Sequence, residues 1–413
     1  MIIKTLMAQR ASQLARKYLD LDDFHPQTLP SPEASREYLL YAHIPFCESL
    51  CPFCSFNRVV FEPQLARTYF KALHSEVALY ADSGYRFDSL YVGGGTPTIM
   101  PQELAEFIQH VKKLWNIKEV SVETNPNHLD PDTLKILEQA GIQRLSVGVQ
   151  SFNNSLLSSI GRMKKYGSGE EILDLLKSAR GIFHTLNIDL IFNLQDQTEE
   201  MLLQDLEIIK ESLVDQVTYY PLMLSKSKQK QGRGKLDMHK EAHFYNTIVE
   251  QLTKTYEQKS VWCFSKQEGM IDEYILDHEQ YAGTGAGSFG YMGGTMYSNT
   301  YSIQHYIDTL TQGAVPIVAK QSYSKKQRIR HDFLLKLLGQ KLPLHEFKQT
   351  HGVFATLKLL PELTLFLILG VITIHKGTVQ LTKRGDSYWI VLMRCLFSEA
   401  GDYREQRIIK DQA

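Results

Sequence analysis

Three of the five cysteines in this chain, Cys47, Cys51 and Cys54, fall within eight residues as Cys-x3-Cys-x2-Cys, directly after the extended apolar run Tyr41-Ala42-His43-Ile44-Pro45-Phe46. Thiolates bind soft metals. Three of them on one short loop can reach three corners of a cubane iron–sulfur cluster, whereas a closed structural site generally takes four ligands. The fourth iron is then open to a small molecule, so the geometry points to chemistry. The same residues admit a plainer reading: a zinc site completed by His43 or a distant residue, or inert buried thiols.

The elements that must position such a loop follow from the rest of the chain. With 413 residues, one barrel-sized domain plus a smaller one is the natural partition, and a 43% hydrophobic composition can fill the cores of both. Five cysteines, odd in number and clustered, fit metal ligation in a reducing compartment rather than a disulfide framework. A net charge of −1 gives no argument for a nucleic-acid or acidic-membrane partner. Met1 to Tyr18 is basic, acid-free and apolar at helical spacing, which reads as a surface helix, with a transit peptide as the alternative. The longest apolar run, Leu363 to Ile374, is too short to span a bilayer. The expectation is a cytoplasmic protein with no membrane span.

Along the chain, Asp20 to Arg36 reads as a lead-in loop, and strand-like and helix-like stretches then alternate. Strands are expected at Glu37–Ile44, Ser89–Val92, Glu119–Val122, Arg144–Val149, Leu186–Ile191 and Gln216–Tyr220. Helices are expected at Pro63–Ala81, Gln102–Leu114, Pro131–Ala140, within Ser155–Arg180, and at Glu199–Ser212. Six such units imply a parallel sheet and an open, partial (β/α)6 barrel. The expected domains are residues 1–36, a barrel at 37–224, a mobile basic loop at 225–236, a barrel-completing segment at 237–323, and a C-terminal domain at 324–413. The last, two helices followed by a hairpin around His375-Lys376-Gly377-Thr378 and a final helix, has a winged-helix-like layout.

Active sites of such folds lie at the C-terminal ends of the strands. There the chain places the cysteines, then Gly93-Gly94-Gly95-Thr96-Pro97-Thr98, Glu123-Thr124-Asn125, Gln150 with Arg162 twelve residues on, and Asp189. Glycines let backbone donors approach a ligand closely. A carboxylate at a strand mouth can accept from ribose hydroxyls, and an arginine fork suits a carboxylate.

The cysteine loop after a first strand resembles that of the radical S-adenosylmethionine (SAM) enzymes. Tyr41-x-His43-Ile44-Pro45-Phe46-Cys47 is similar to the oxygen-independent coproporphyrinogen III oxidase group, which includes HemW-type heme chaperones and heme-opening methyltransferases. The resemblance implies a 4Fe-4S cluster on Cys47, Cys51 and Cys54, whose open iron chelates SAM. It implies SAM contacts from Tyr41, Gly93, Gly94, Gly95, Thr96, Glu123, Gln150, Arg162 and Asp189, with Tyr41 also the candidate catalytic group. Reductive cleavage of SAM to a 5′-deoxyadenosyl radical, on an electron from a flavodoxin or ferredoxin, is the implied chemistry, and a tetrapyrrole or heme-like molecule the implied substrate.

Two departures from the group's pattern stand out. After the fifth strand the group reads Gly-Leu-Pro-x-Gln-Thr, but this chain reads Asn193-Leu194-Gln195-Asp196-Gln197-Thr198. The decarboxylating oxidases carry a further cysteine two residues after the last cluster cysteine, where this chain has Phe56. Tyr281-Ala282-Gly283-Thr284-Gly285-Ala286-Gly287 is similar to a Gly-x-Gly-Ala-Gly segment of the heme-chaperone branch and is expected to pass across the barrel mouth. Three functions follow: a SAM-dependent enzyme acting on a tetrapyrrole or another conjugated substrate, such as a methyl transferase; a chaperone delivering heme unchanged, with His43, His278 and His375 as imaginable ligands; and a decarboxylase, disfavoured by Phe56.

Overall fold

The computed structural model describes residues 2–23, 28–33, 36–230, 237–272, 274–276 and 278–412. Six parallel strands form its centre: β1 Tyr38–Ile44, β2 Phe87–Gly94, β3 Glu119–Thr124, β4 Arg144–Gln150, β5 Thr185–Phe192 and β6 Gln216–Pro221. They pair in chain order, each with the next. Beyond β1 the sheet continues through Tyr281–Thr284, which pairs parallel to it, and then through antiparallel strands. Beyond β6 it ends in antiparallel Cys263–Ser265 and Glu257–Gln258. No pairing joins the two edges among the described residues, so the barrel is open, as expected of a partial (β/α)6 arrangement.

Although both faces of the strands are buried, the sequence alternates in what it places on each. Leu40, Ala42, Leu90, Val92, Val120, Val122, Leu145, Val147, Leu186, Ile188 and Val217 belong to the main apolar core. On the same strands, Tyr41, Tyr91, Ser121 and Arg144 share successive rungs, as do Ser146 and Asn187, and Gly148, Asp189 and Thr218. Period two therefore gives the barrel a greasy outside, packed by helices, and a polar inside. The helices are started locally: Glu62 and Pro63 begin Pro63–Asp82, Asp130 caps Pro131–Gln139, a Ser168/Glu171 capping box opens Gly169–Ala179, and Thr198 caps Glu199–Ser212.

The C-terminal part carries helices Lys325–Leu338, Leu344–His351 and Leu360–Ile368 around a three-stranded antiparallel sheet. Its hairpin turns at Lys376 and Gly377, both at positive φ (47° and 77°), as a two-residue type I′ turn requires. The apolar run Leu363–Ile374 is divided between a helix and a strand, and no described helix is long and apolar enough to cross a membrane. The final helix, Lys383–Gln412, is longer than the sequence pattern implies and packs along the N-terminal helix Ile2–Tyr18, with Arg16 Nε 2.8 Å from Glu399 Oε2. Within the expected mobile loop, residues 226–230 form a short helix instead. Lys226 pairs with Glu399 and Asp402, and the Ser225 and Ser227 hydroxyls donate to Glu405. Opposite charge on the final helix thus orders a lysine-rich stretch whose composition alone reads as solvated. The rest of that loop, 231–236, lies outside the described residues.

Candidate functional site

The cluster loop begins where β1 ends. Cys47 is buried, Cys51 and Cys54 are partly exposed, and all three are free thiols. Burial pushes the Cys47 thiol up to about 11, opposed by a hydrogen bond from Thr96, whose Oγ1 lies 3.7 Å from its sulfur. Arg58 gathers the loop by donating from Nη2 to the Cys51 and Cys54 carbonyls (2.6 and 2.8 Å), and Arg162 Nη1 stands 3.5 Å from the Cys51 sulfur.

The glycines of β2 show why side chains are absent there. A β-carbon on Gly95 would lie 2.6 Å from the Phe46 carbonyl oxygen and 3.0 Å from the Cys47 sulfur; one on Gly93 would meet the Glu123 carboxylate at 2.7 Å. Gly94 has φ +120°, and its N–H donates to Glu123 Oε2 at 2.9 Å. The expected ligand residues of β2 and β3 are thus in direct contact with one another and, through Gly95 and Thr96, with the first cysteine.

Arg162 is buried at the end of β4. Its Nη2 donates to Asn125 Oδ1 (2.8 Å) and the Gly148 carbonyl (2.6 Å), while the guanidinium lies 4.0 Å over the Tyr166 ring. Asn125 donates in turn to Thr96 Oγ1 at 2.8 Å, so Arg162, Asn125, Thr96 and Cys47 form one chain of contacts. Gln150 sits at a register shift ending β4 with φ 73°, a conformation rare outside glycine and asparagine. In the departing loop after β5, Asn193 adopts φ 66°: asparagine tolerates the left-handed region, so the turn is made without the glycine.

Tyr41 does not stand alone. Its hydroxyl lies 2.9 Å from His43 Nδ1, and its ring stacks with Tyr91 and Tyr274. His43 Nε2 is 2.8 Å from the Asn57 carbonyl, and burial pushes the imidazole down to about 4. Both ring nitrogens are therefore engaged, and His43 is unsuited to complete a zinc site or to ligate heme as it stands. Among the described residues no three His, Cys, Asp or Glu side chains surround one point that would suit a single metal ion.

Inside the barrel the sequence concealed a larger network. Arg144 Nη2 pairs with Asp272 Oδ1 at 2.8 Å and its guanidinium also donates to Gln216 and Ser121. The Tyr91 hydroxyl lies between Glu123 Oε1 (3.0 Å) and Asp272 Oδ1 (2.9 Å). Asp189 accepts from Ser146 Oγ and Asn187 Nδ2, each at 2.8 Å. Burial, with the Asp272 charge, raises Asp189 well above the carboxylate range and Glu123 to about 7. Asp272, although buried, is held down to about 2 by Arg144 and hydrogen bonds. Asn125, Arg144 and Asp272 went unread as site residues. A lone arginine opening a buried strand was the available signal for Arg144, and Asn125 stood beside Glu123, but Asp272 lies in a segment with no periodicity.

The glycine-rich turn after Tyr281–Thr284 leads into an antiparallel strand, not a helix, which rules out a dinucleotide-binding turn. It lies along β1, fixed by Glu76, which accepts from Gly285 N (2.7 Å), Asn299 Nδ2 (2.7 Å) and the Tyr306 hydroxyl (2.5 Å). Asn57, just past the cysteines, donates to the Ala286 carbonyl at 2.9 Å.

A model of the radical SAM superfamily matches residues 41–209. The heme chaperone HemW of Bacillus subtilis is 31% identical over 315 residues, which cover 72% of this chain and 82% of that protein. The chain belongs to the radical SAM superfamily, in its coproporphyrinogen III oxidase-like group. HemW of Lactococcus lactis is similar to the same extent, 32% identical over 72% of this chain and 80% of its own. The oxygen-independent coproporphyrinogen III oxidase of Escherichia coli is 34% identical over 193 residues, covering 45% of this chain and 42% of that one. The solved structure titled for that oxidase shares the fold, with a TM-score of 0.73 and 23% identity over 87% of this chain and 90% of the other.

The superfamily implies an iron–sulfur cluster and SAM, and the residues present fit both. Three thiols on one loop supply a cluster's ligands. Buried polar atoms with no hydrogen-bond partner among the described residues belong to the two arginines beside them: Arg58 Nε and Nη1, and Arg162 Nε. Such groups are costly unless a ligand satisfies them.

Proposed function

We propose that Cys47, Cys51 and Cys54 hold a 4Fe-4S cluster and that SAM binds between it and the ends of β2 to β5. When bound and reduced, the cluster would supply the electron that cleaves SAM to a 5′-deoxyadenosyl radical. The protein's own part is binding and orientation. Gly93 to Gly95 offer backbone groups to the amino group, Glu123 and Asp189 offer oxygens to ribose hydroxyls, Arg162 and Gln150 take the remaining polar groups, and Tyr41 forms the wall beside β2. The observation that carries this reading is the contact chain Cys47–Thr96–Asn125–Arg162, which joins the cluster loop to the ends of β2, β3 and β4. A tetrapyrrole is the proposed substrate, since the named relatives act on or carry one.

A second reading, heme delivery without turnover, is favoured by the extent of the alignments. HemW proteins align across 72% of the chain, barrel and beyond, whereas the Escherichia coli oxidase aligns over 45%. Decarboxylation is disfavoured because Phe56 cannot supply a thiol. The test is anaerobic: reconstitute the cluster, add dithionite, SAM and either heme or coproporphyrinogen III, then quantify 5′-deoxyadenosine, S-adenosylhomocysteine and pigment mass. Pigment-dependent 5′-deoxyadenosine with a changed mass establishes an enzyme and names the reaction. Heme bound unchanged with background cleavage establishes the carrier. A cluster that forms but binds no SAM refutes the proposal.

A further inference from the structure

The final helix Lys383–Gln412 passes beside the residues that follow Cys54. At Gly401 it comes so near that a β-carbon would lie 3.3 Å from that of Ser55, the residue after Cys54. One turn further on, the Arg404 guanidinium lies over two phenyl rings, 5.1 Å from the centre of Phe56 and 5.5 Å from that of Phe289. One ring belongs to the cluster loop and is 47% exposed; the other begins the strand after the glycine-rich turn.

The other charges around Arg404 are spoken for. Glu399 and Asp402 are paired with Lys226, Glu405 accepts from two serines, and Asp411 accepts from Thr300 and Tyr301. Arg394 pairs with Glu241, and Arg407 and Lys410 with Asp23. One turn to either side of Arg404 stand Ala400, Gly401, Arg407 and Ile408, none of them acidic. Among the described residues no carboxylate comes within ion-pair range of Arg404. Burial raises Tyr41 and Tyr281 and lowers His43, and the Arg404 charge acts to lower all three.

We infer that Arg404, stacked on Phe56 and Phe289, is the seat for a carboxylate carried on a flat apolar ring, a propionate of the tetrapyrrole. A guanidinium stacked on aromatic faces is weakly hydrated and keeps its planar N–H edge free for two parallel hydrogen bonds to a carboxylate. The phenyl rings would support the ring edge from which the propionate extends. This inference rests on the tetrapyrrole reading. It also gives Phe56 a task at the position where the decarboxylating members of the group carry a cysteine.

The test titrates hemin, iron(III) protoporphyrin IX, and its dimethyl ester into the cluster-loaded protein by absorbance, for wild type, Arg404→Gln and Arg404→Lys. SAM affinity is measured in parallel. The wild type is expected to bind the free acid ~10- to 100-fold more tightly than the ester. Arg404→Gln should bind both pigments alike, Arg404→Lys should fall between, and SAM affinity should not change. Equal binding of acid and ester by the wild type, which requires no variant, overturns the seat. So does Arg404→Gln with wild-type affinity for hemin. A loss confined to SAM affinity assigns Arg404 to the methionine carboxylate instead and overturns the proposal. A wild type that binds neither pigment overturns the tetrapyrrole reading along with the seat, whereas pigment binding indifferent to Arg404 overturns the seat alone.

Discussion

Replacing Gly95 by alanine tests the closest approach in the site. The added β-carbon would meet the Phe46 carbonyl oxygen at 2.6 Å, and ordinary contact begins near 3.4 Å, so about 0.8 Å of space must be found. Neither side yields easily. The Phe46 carbonyl accepts from Thr96 N at 2.8 Å, and Gly95 N donates to the Ile44 carbonyl at 2.8 Å, so opening the gap stretches the bonds that seat the cluster loop on β2. Gly95 lies outside the left-handed region, so the test is purely steric. Overpacking of this kind costs ~1–3 kcal/mol. Because the Cys47 sulfur is the next atom met, at 3.0 Å, the displacement also moves a cluster ligand. Urea unfolding of the apoprotein should register the loss, and iron and sulfide analysis after anaerobic reconstitution should show incomplete loading. A variant within ~0.5 kcal/mol of wild type that still loads a full cluster would refute the reasoning.

Three further outcomes are expected. Burial pushes Glu76 up to about 7 against three hydrogen bonds, whereas an unfolded glutamate titrates near ~4.3. Folding therefore takes up a proton in that window, and stability falls as pH rises from about 4.3 through 7, by about 4 kcal/mol in total. The difference in urea midpoint between wild type and Glu76→Gln should follow that course, and a pH-independent difference would contradict it. Arg162→Lys loses the planar fork whose Nη2 reaches Asn125 and Gly148 while Nη1 faces the Cys51 sulfur, so calorimetry should show SAM affinity lowered ~10-fold or more with cluster content intact; unchanged affinity would remove Arg162 from the site. Cys395→Ala should leave iron content unchanged, whereas Cys54→Ala should lower it sharply, and iron loss in the first would show that the loop is not the whole ligand set.

The barrel was legible because its two signals agree: strands spaced by capped amphipathic helices, and unusual residues at the end of each strand. Strand limits shifted by a residue or two, as at Phe87–Gly94, where the glycines continue the strand they were expected to end. The cysteines and glycines could be read because their roles are local in sequence. Arg144 and Asp272 could not, because their pairing joins a strand to a distant aperiodic segment. The order in 226–230 was equally hidden, since the acids that hold it lie more than 170 residues away. Composition records the charge of a segment, not who answers it.

The final helix closes over a loop made long before it. Cys54 precedes Lys383 by about 330 residues, so at ~5–20 residues per second the cluster loop leaves the ribosome roughly 15 to 65 seconds ahead of the helix that covers it. During that interval Ser55, the residue after Cys54, stands without Gly401 against it. Chain order thus works as a clock: the cysteine loop is complete well before the helix that packs Gly401 against Ser55 exists.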